Sequence, residues 1–186
     1  GKYGNALSFD GVNDYVNIPA NSSVGNLTSN LTISAWVFLN DITGVRTIWE
    51  TAESPSSNLG LSFKVIDGRL WLATKGVIVY FSLTATVPTG VWVHVAAVLD
   101  SGFDATFFVD GVQKDTITHT VGGNANTTQA TFIGAATDNG TTPVRYWMNG
   151  RIDNVRIYNR SLTPAEIQSD MNTAVGAADT QAPTAP

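Results

Sequence analysis

Two short strings near opposite ends of the chain carry the side chains best suited to chemistry. Residues 9–16 read Phe-Asp-Gly-Val-Asn-Asp-Tyr-Val, and residues 150–160 read Gly-Arg-Ile-Asp-Asn-Val-Arg-Ile-Tyr-Asn-Arg. Each sets acidic side chains where a strand meets a turn. If Asp10 and Asp153 meet in the fold, their carboxylates make a compact oxygen cage for a hard cation such as calcium. Asn13 and Asp14 would add a side chain or a backbone carbonyl, and water would complete the roughly six to eight oxygens such an ion takes. The expected metal ligands are therefore Asp10, Asn13, Asp14 and Asp153. Their role would be structural, because an ion bound only by the folded state adds to its stability. A local alternative stands beside this one. Asp10 and Asn13 bond to backbone amides of a turn, and Asp153 pairs with Arg151 or Arg156. The spacing is not that of an EF-hand loop.

Catalytic sets are scarcer. Hydrolysis of a glycosidic bond takes two carboxyls facing each other across a sugar, one of them held protonated. Glutamate occurs only at positions 50, 53 and 166. Glu50 and Glu53 are close in sequence, but an odd spacing on a strand points them to opposite faces, so they read as exposed residues at a strand end. A serine–histidine–aspartate set would need His94 or His119. His94 lies in an otherwise apolar strand and reads as a packed core residue. His119 sits in a Thr-rich turn with no evident orienting partner. Cysteine is absent, which excludes disulfides, thiolate metal sites and cysteine nucleophiles. These residues argue for a binding module, not an enzyme.

The elements that must position such residues are strands. Hydrophobic residues make up 43% of the 186 and charged residues only 13%, with many Thr, Ser, Asn, Gly and Val. That balance suits a strand-rich secreted chain with one substantial core. The net charge is −5 and no basic run occurs, which disfavours nucleic-acid binding. No apolar stretch approaches the ~20 residues needed to cross a bilayer, so no membrane partner is expected. No charged-then-apolar leader starts at Gly1, so a signal peptide is expected to be absent or already removed.

Alternation predicts strands over 6–10, 15–18, 31–40, 46–51, 59–65, 70–74, 77–83, 92–100, 105–110, 112–118, 130–135 and 150–159. Asp67-Gly68 and Asp110-Gly111 are hairpin signals between four of them. About a dozen strands at this spacing imply an all-β fold of two antiparallel sheets packed face to face. The one helical candidate is 163–171. Ser161 or Thr163 can cap it, Pro164 suits its first turn, and Glu166 can reach back in a capping box. From Ala174 the chain loses periodicity and ends in spaced prolines. The reading is one domain over 1–173 and an interdomain linker over 174–186, within a longer multidomain protein.

At this point five segments carry a resemblance, in order, across residues 5–171. Ala-Leu-Ser-Phe-Asp-Gly-Val-Asn-Asp-Tyr-Val at 6–16 and Leu-Thr-Ile-Ser-Ala-Trp-Val at 31–37 resemble the opening of laminin-G-like domains of the concanavalin A-like lectin/glucanase superfamily. Trp-Val-His-Val-Ala at 92–96 resembles the family's central strand, Phe-Val-Asp-Gly at 108–111 its hairpin, and 150–162 its closing strand. The resemblance implies a jelly-roll β-sandwich with one short C-terminal helix, in bacterial extracellular proteins often joined to polysaccharide-degrading enzymes or adhesins. It also implies, in many members, calcium near the joined termini, where Asp10 and Asp153 match acidic positions. Catalytic members carry a Glu-x-Asp-x-x-Glu type strand, and no such string exists here.

Sugar rings offer flat C–H faces that pack on Trp or Tyr, while their hydroxyls need polar partners. Trp36 and Trp92 match family core positions and read as structural. Met148 takes a position where the family packs an aromatic residue inward, which turns Trp147 outward. The expected glycan-binding residues are Trp147, Tyr146 and Arg145, behind the Gly/Thr/Asn-rich stretch 137–144, followed by Trp71, Tyr80, Trp49 and Arg46. Either arginine could instead be solvated surface charge. The expectation is a secreted, monomeric, non-catalytic module tethering its neighbours to a polysaccharide. The alternatives are an adhesion or scaffold module that binds protein or spaces other domains, and a diverged hydrolase or lyase.

Overall fold

The computed structural model describes residues 1–20, 27, 30–51, 60–74, 78–119, 130–137 and 143–175. Within them the strands are β1 (Leu7–Asp10), β2 (Val16–Ile18), β3 (Leu31–Leu39), β4 (Val45–Thr51), β5 (Leu61–Ile66), β6 (Arg69–Thr74) and β7 (Ile78–Thr86). They continue with β8 (Trp92–Leu99), β9 (Ala105–Val109), β10 (Val112–Ile117), β11 (Thr131–Ile133), β12 (Ala136–Thr137), β13 (Pro143–Arg145) and β14 (Asn149–Tyr158). One helix, α1 (Pro164–Met171), follows. The first sheet runs β1-β14-β3-β8-β9-β10 and the second β2-β11-β4-β5-β6-β7, while β12 and β13 form a separate ladder. All named ladders are antiparallel. The expected two-sheet sandwich is what the chain forms.

The hairpins arise where the sequence signals them. Asp67 and Gly68 take φ of 46° and 77°, Asp110 and Gly111 of 49° and 71°, so both central residues of each turn lie in the left-handed region that primed turns require. Between the sheets pack alternate residues: Ile33, Ala35, Val37 and Leu39 of β3 against Phe63 and Val65 of β5 and Leu70 and Leu72 of β6. Gly150 has φ 148°, and a Cβ there would stand 2.0 Å from the Phe38 carbonyl oxygen. That position therefore excludes a side chain and lets β14 pair closely beside β3.

A second, smaller cluster closes the outer face of the first sheet, where Ile167 of α1 and Leu162 just before the helix pack with Ala96, Val98 and Phe108. Thr163 caps the helix and Glu166 returns the bond to the cap, as the sequence predicts. This cover explains why β3 is buried on both faces: Thr32, Ser34 and Trp36 point outward, yet lie beneath it. His94 is buried there edge-on to Trp36, 5.4 Å between rings, in the packing role expected of it. At the opposite margins, Asp115 of β10 reaches across to β7. Its carboxylate accepts from Ser82 Oγ and from the backbone N–H groups of Leu83 and Thr84, at 2.9–3.2 Å, and so clips the edges of the two sheets together.

The sequence reading missed β12 and β13. Two- and three-residue strands flanked by Gly and Pro give no periodicity to detect. Residues 176–186 of the expected linker, Glu53, and residues 138–142 of the stretch before Trp147 lie outside the described residues.

Candidate functional site: the outer face of the second sheet

Cross-strand partners share a face, so the register sorts this sheet's side chains. Trp49, Phe63, Leu72 and Tyr80 form one rung across β4 to β7 and point into the core. Thr47, Lys64, Trp71 and Phe81 form a rung on the opposite, outer face, and Glu50, Ser62, Ala73 and Val79 another. This corrects two expected glycan ligands. Trp49 and Tyr80 are both 0% exposed, and the Tyr80 hydroxyl donates to the Phe103 carbonyl at 2.9 Å. Burial, then the charges of Asp104 and Asp100, push that hydroxyl up to about 12. Neither ring can meet a ligand.

On the outer face the sequence places a buried ion pair among aromatic rings. Lys64 Nζ lies 2.8 Å from Glu50 Oε2, with side chains only 7% and 0% exposed. Ser62 Oγ donates to the same oxygen at 2.8 Å, and the Thr137 N–H of β12 donates to Glu50 Oε1 at 2.9 Å. The Lys64 ammonium stands 5.2 Å from the ring centre of Trp71 and 4.9 Å from that of Tyr146, both half-buried. The Arg145 guanidinium lies 4.7 Å from the Tyr146 ring. Tyr146 adopts φ 57°, an uncommon left-handed turn for a bulky residue, and its carbonyl accepts from Thr47 N–H at 3.0 Å. Strain of this kind persists where surrounding contacts fix it, and it often marks binding sites.

Of the expected glycan ligands, the structure thus gathers Trp71, Tyr146 and Arg145 around Lys64. Met148 is fully buried in the core, as expected. Trp147 turns the other way and packs 6.3 Å from Tyr15, which meets Phe132 edge-on at 5.8 Å. It therefore belongs to a neighbouring aromatic cluster on this face. Arg46 is elsewhere: its guanidinium pairs with Asp41 at 2.5 Å. Burial alone would raise the Asp41 carboxyl, but the Arg46 hydrogen bond and charge, with donors from Asn149 and Thr43, hold it below its ordinary value. Further along β7, Val79 and Leu83 are 54% and 66% exposed.

Glu50 and Lys64 were not among the expected binding residues, and Glu50 is buried and paired, not exposed at a strand end. The missing signal was the Asp67-Gly68 turn. Counting outward from a two-residue hairpin pairs Lys64 with Trp71 from sequence alone.

The expected calcium ligands do not come together. Leu7 pairs with Ile152 and Asp10 with Asn149, so Asp153 lies four positions along the ladder from Asp10, about 13 Å at the strand rise. Asp10 Oδ1 accepts from the N–H groups of Val12 at 2.8 Å and Asn13 at 3.4 Å, and Asp14 Oδ2 from Asp10 N–H at 2.9 Å. Asp153 Oδ2 accepts from the N–H groups of Lys2 at 2.7 Å and Tyr3 at 3.3 Å. The first and last strands do lie side by side, but Asp10 and Asp14 serve the turn after β1 while Asp153 holds the amides of Lys2 and Tyr3, and the four residues do not fit one calcium cage. Among the described residues no group of three or more His, Asp or Glu side chains is placed to hold a metal ion.

Comparison with solved structures finds the same fold. Domain 4 of AbnA, a GH43 extracellular arabinanase from Geobacillus stearothermophilus solved with arabinotriose, superposes with a TM-score of 0.70 at 23% identity, covering 92% of this chain and 78% of that one. The CBM40 of the Ruminococcus gnavus IT-sialidase, solved with α2,3-sialyllactose, gives 0.67 at 14% identity, covering 88% and 96%. A heptameric SAP-like pentraxin from Limulus polyphemus gives 0.66 at 17%, covering 87% and 78%. A laminin-G-type family model, described as concanavalin A-like lectin/glucanases superfamily, matches residues 10–168. With its sandwich, register and closing helix accounted for, the chain belongs to the laminin-G-like family of the concanavalin A-like lectin/glucanase superfamily.

Proposed function

We propose that this chain is a non-catalytic glycan-binding module whose site is the outer face of the second sheet. The observation that carries the reading is the pair of half-buried rings, Trp71 and Tyr146, set around the Lys64 ammonium with Arg145 beside them. Aromatic faces offer the apolar surface that sugar C–H groups pack against, and arginine offers donors to hydroxyl or acidic groups. Solved relatives of the same fold that hold arabinotriose and α2,3-sialyllactose support the reading. The chemistry of the described residues supports a non-catalytic role. Glu50 is the one carboxylate on the two outer rungs, its oxygens are engaged by Ser62, Lys64 and Thr137, and glycoside hydrolysis takes two carboxyls.

In a secreted multidomain protein, with residues 174–186 as linker, such a module would hold its neighbours at a polysaccharide and raise their local substrate concentration. The test is affinity electrophoresis against a set of polysaccharides. Retention by at least one, lost in Trp71→Ala while the variant still melts cooperatively, supports the reading, and retention by none overturns it. Val79 and Leu83 favour a second reading, because exposed aliphatic side chains suit a protein surface better than a sugar. An adhesion module would capture a protein, be blocked by Leu83→Glu, and ignore every glycan.

A further inference from the structure

Burying an ammonium and a carboxylate costs several kcal/mol per ion, and apolar residues of similar volume often stabilise a protein as well. Stability alone therefore does not account for Lys64 and Glu50. What distinguishes the pair is where its two ends lead. Through Glu50 it holds the Thr137 N–H of β12, and through Lys64 it faces the Tyr146 ring just beyond β13. The same ammonium faces Trp71, its cross-strand partner in the rigid β5–β6 hairpin. Trp71 and Tyr146 come from segments joined by no ladder; the Thr47 N–H holds the Tyr146 backbone to the sheet, but the register does not set how the two rings face each other. Lys64 touches both. A desolvated cation within about 6 Å of a ring face is attracted to it, which methionine in the same space could not match.

We propose that the Lys64–Glu50 pair is the positioning element of the glycan site, locking the Trp71 and Tyr146 rings in the arrangement that accepts a sugar. This rests on the glycan reading of the face and adds to it two residues that need not touch the ligand. The Arg145 guanidinium, 4.7 Å from the Tyr146 ring centre, adds a second cation on that side of the site.

The experiment uses the full chain labelled with 5-fluorotryptophan, with the Trp71 resonance assigned by Trp71→Phe. Arabinotriose and α2,3-sialyllactose serve as probes. The double variant Glu50→Gln/Lys64→Met removes both charges of the pair together, and a cooperative melt checks that it folds. Should that variant not fold, Glu50→Gln/Lys64→Gln serves the same purpose. The expected result is a shifted or broadened Trp71 resonance in the sugar-free protein and an affinity weakened by about tenfold. Lys64→Arg, which keeps a cation beside both rings, restores affinity to within about threefold. Wild-type affinity and an unchanged Trp71 resonance in the double variant overturn the positioning role while leaving the glycan reading intact. A Trp71 resonance in the wild-type protein that is moved neither by these sugars nor by any polysaccharide that retains the protein overturns the glycan reading of this face, and the positioning role with it.

Discussion

Among the described residues, one buried carboxylate lies against the outer face of each sheet, and the two surroundings differ. On the first sheet Asp170 of α1 accepts from Ser34 Oγ at 2.6 Å, from Tyr158 Oη at 2.5 Å and from Arg156 Nη1 at 3.0 Å. His94 Nε2 stands 3.4 Å away. Trp36 there is buried, and its Nε1 donates to the Met171 carbonyl at 3.2 Å. Every one of these contacts fastens the helix to the sheet. On the second sheet Glu50 is just as buried, yet its cation lies among rings that remain half-open to solvent. The same chemistry closes one face and furnishes the other. On the proposed glycan face, unlike under the helix, the aromatic groups around the buried carboxylate are left partly uncovered.

The contrast can be broken by removing each carboxylate's surroundings in turn. The largest effect is expected from Asp170→Ala, which strands Arg156 and two hydroxyls at the helix. It should cost about 3 kcal/mol in urea denaturation, while glycan affinity at the far face stays unchanged below the melting range. A loss of affinity in that variant would show the two faces to be coupled.

Acid sharpens the same point. Burial alone would raise the Asp170 carboxyl, but hydrogen bonds from His94, Ser34 and Tyr158 and the charge of Arg156 lower it from 3.8 to about 2. Its stabilisation is full at neutral pH and fades as pH falls from about 4 through 2, a loss of roughly 2 kcal/mol. Denaturation followed over that range should show this dependence in the wild type and a weaker one in Asp170→Asn. Tyr158, pushed up to about 12 by burial and by Asp170, works at the other extreme. Its share is present below pH 10 and lost as pH rises through 12.

On the open face, Trp71→Ala should weaken glycan binding by about tenfold, near 1.4 kcal/mol, with little change in melting temperature. Trp147→Ala should weaken it less, because that ring packs with Tyr15 and Phe132. The smallest effect is expected from metal. Since Asp10 and Asp153 serve separate backbone segments, exchanging calcium for chelator should move the melting temperature by less than about 1 °C. A larger shift, abolished by Asp10→Ala, would require these side chains to rearrange around an ion.

The architecture was readable because its signals are local. Alternation in β3 and β8, the two Asp-Gly turns and the capping box around Thr163 each specify their own element. The candidate site was only partly readable. Trp71, Tyr146 and Arg145 stood out as aromatic or cationic residues near turns, but the strand reading left open which face Trp71 and Tyr80 take. One rung of register separates the outer Trp71 from the buried Tyr80, and a bulge between Thr47 and Trp49 turns the latter inward. Asp10 and Asp153 sit in matched motifs at the chain ends, yet ladder register, which motif likeness does not encode, keeps them apart.

The Asp115 clip bears on how this protein behaves in company. An uncovered outermost strand offers a row of backbone donors to any chain that can extend alongside it, the usual first step of edge-to-edge aggregation. At Leu83 and Thr84 two of those donors are already satisfied by a carboxylate from the facing sheet, where both margins carry a bulge. A newcomer would find a negative charge and no hydrogen to accept. The rim of the second sheet thereby carries its apolar stripe beside a charged segment with two fewer donors for a pairing strand.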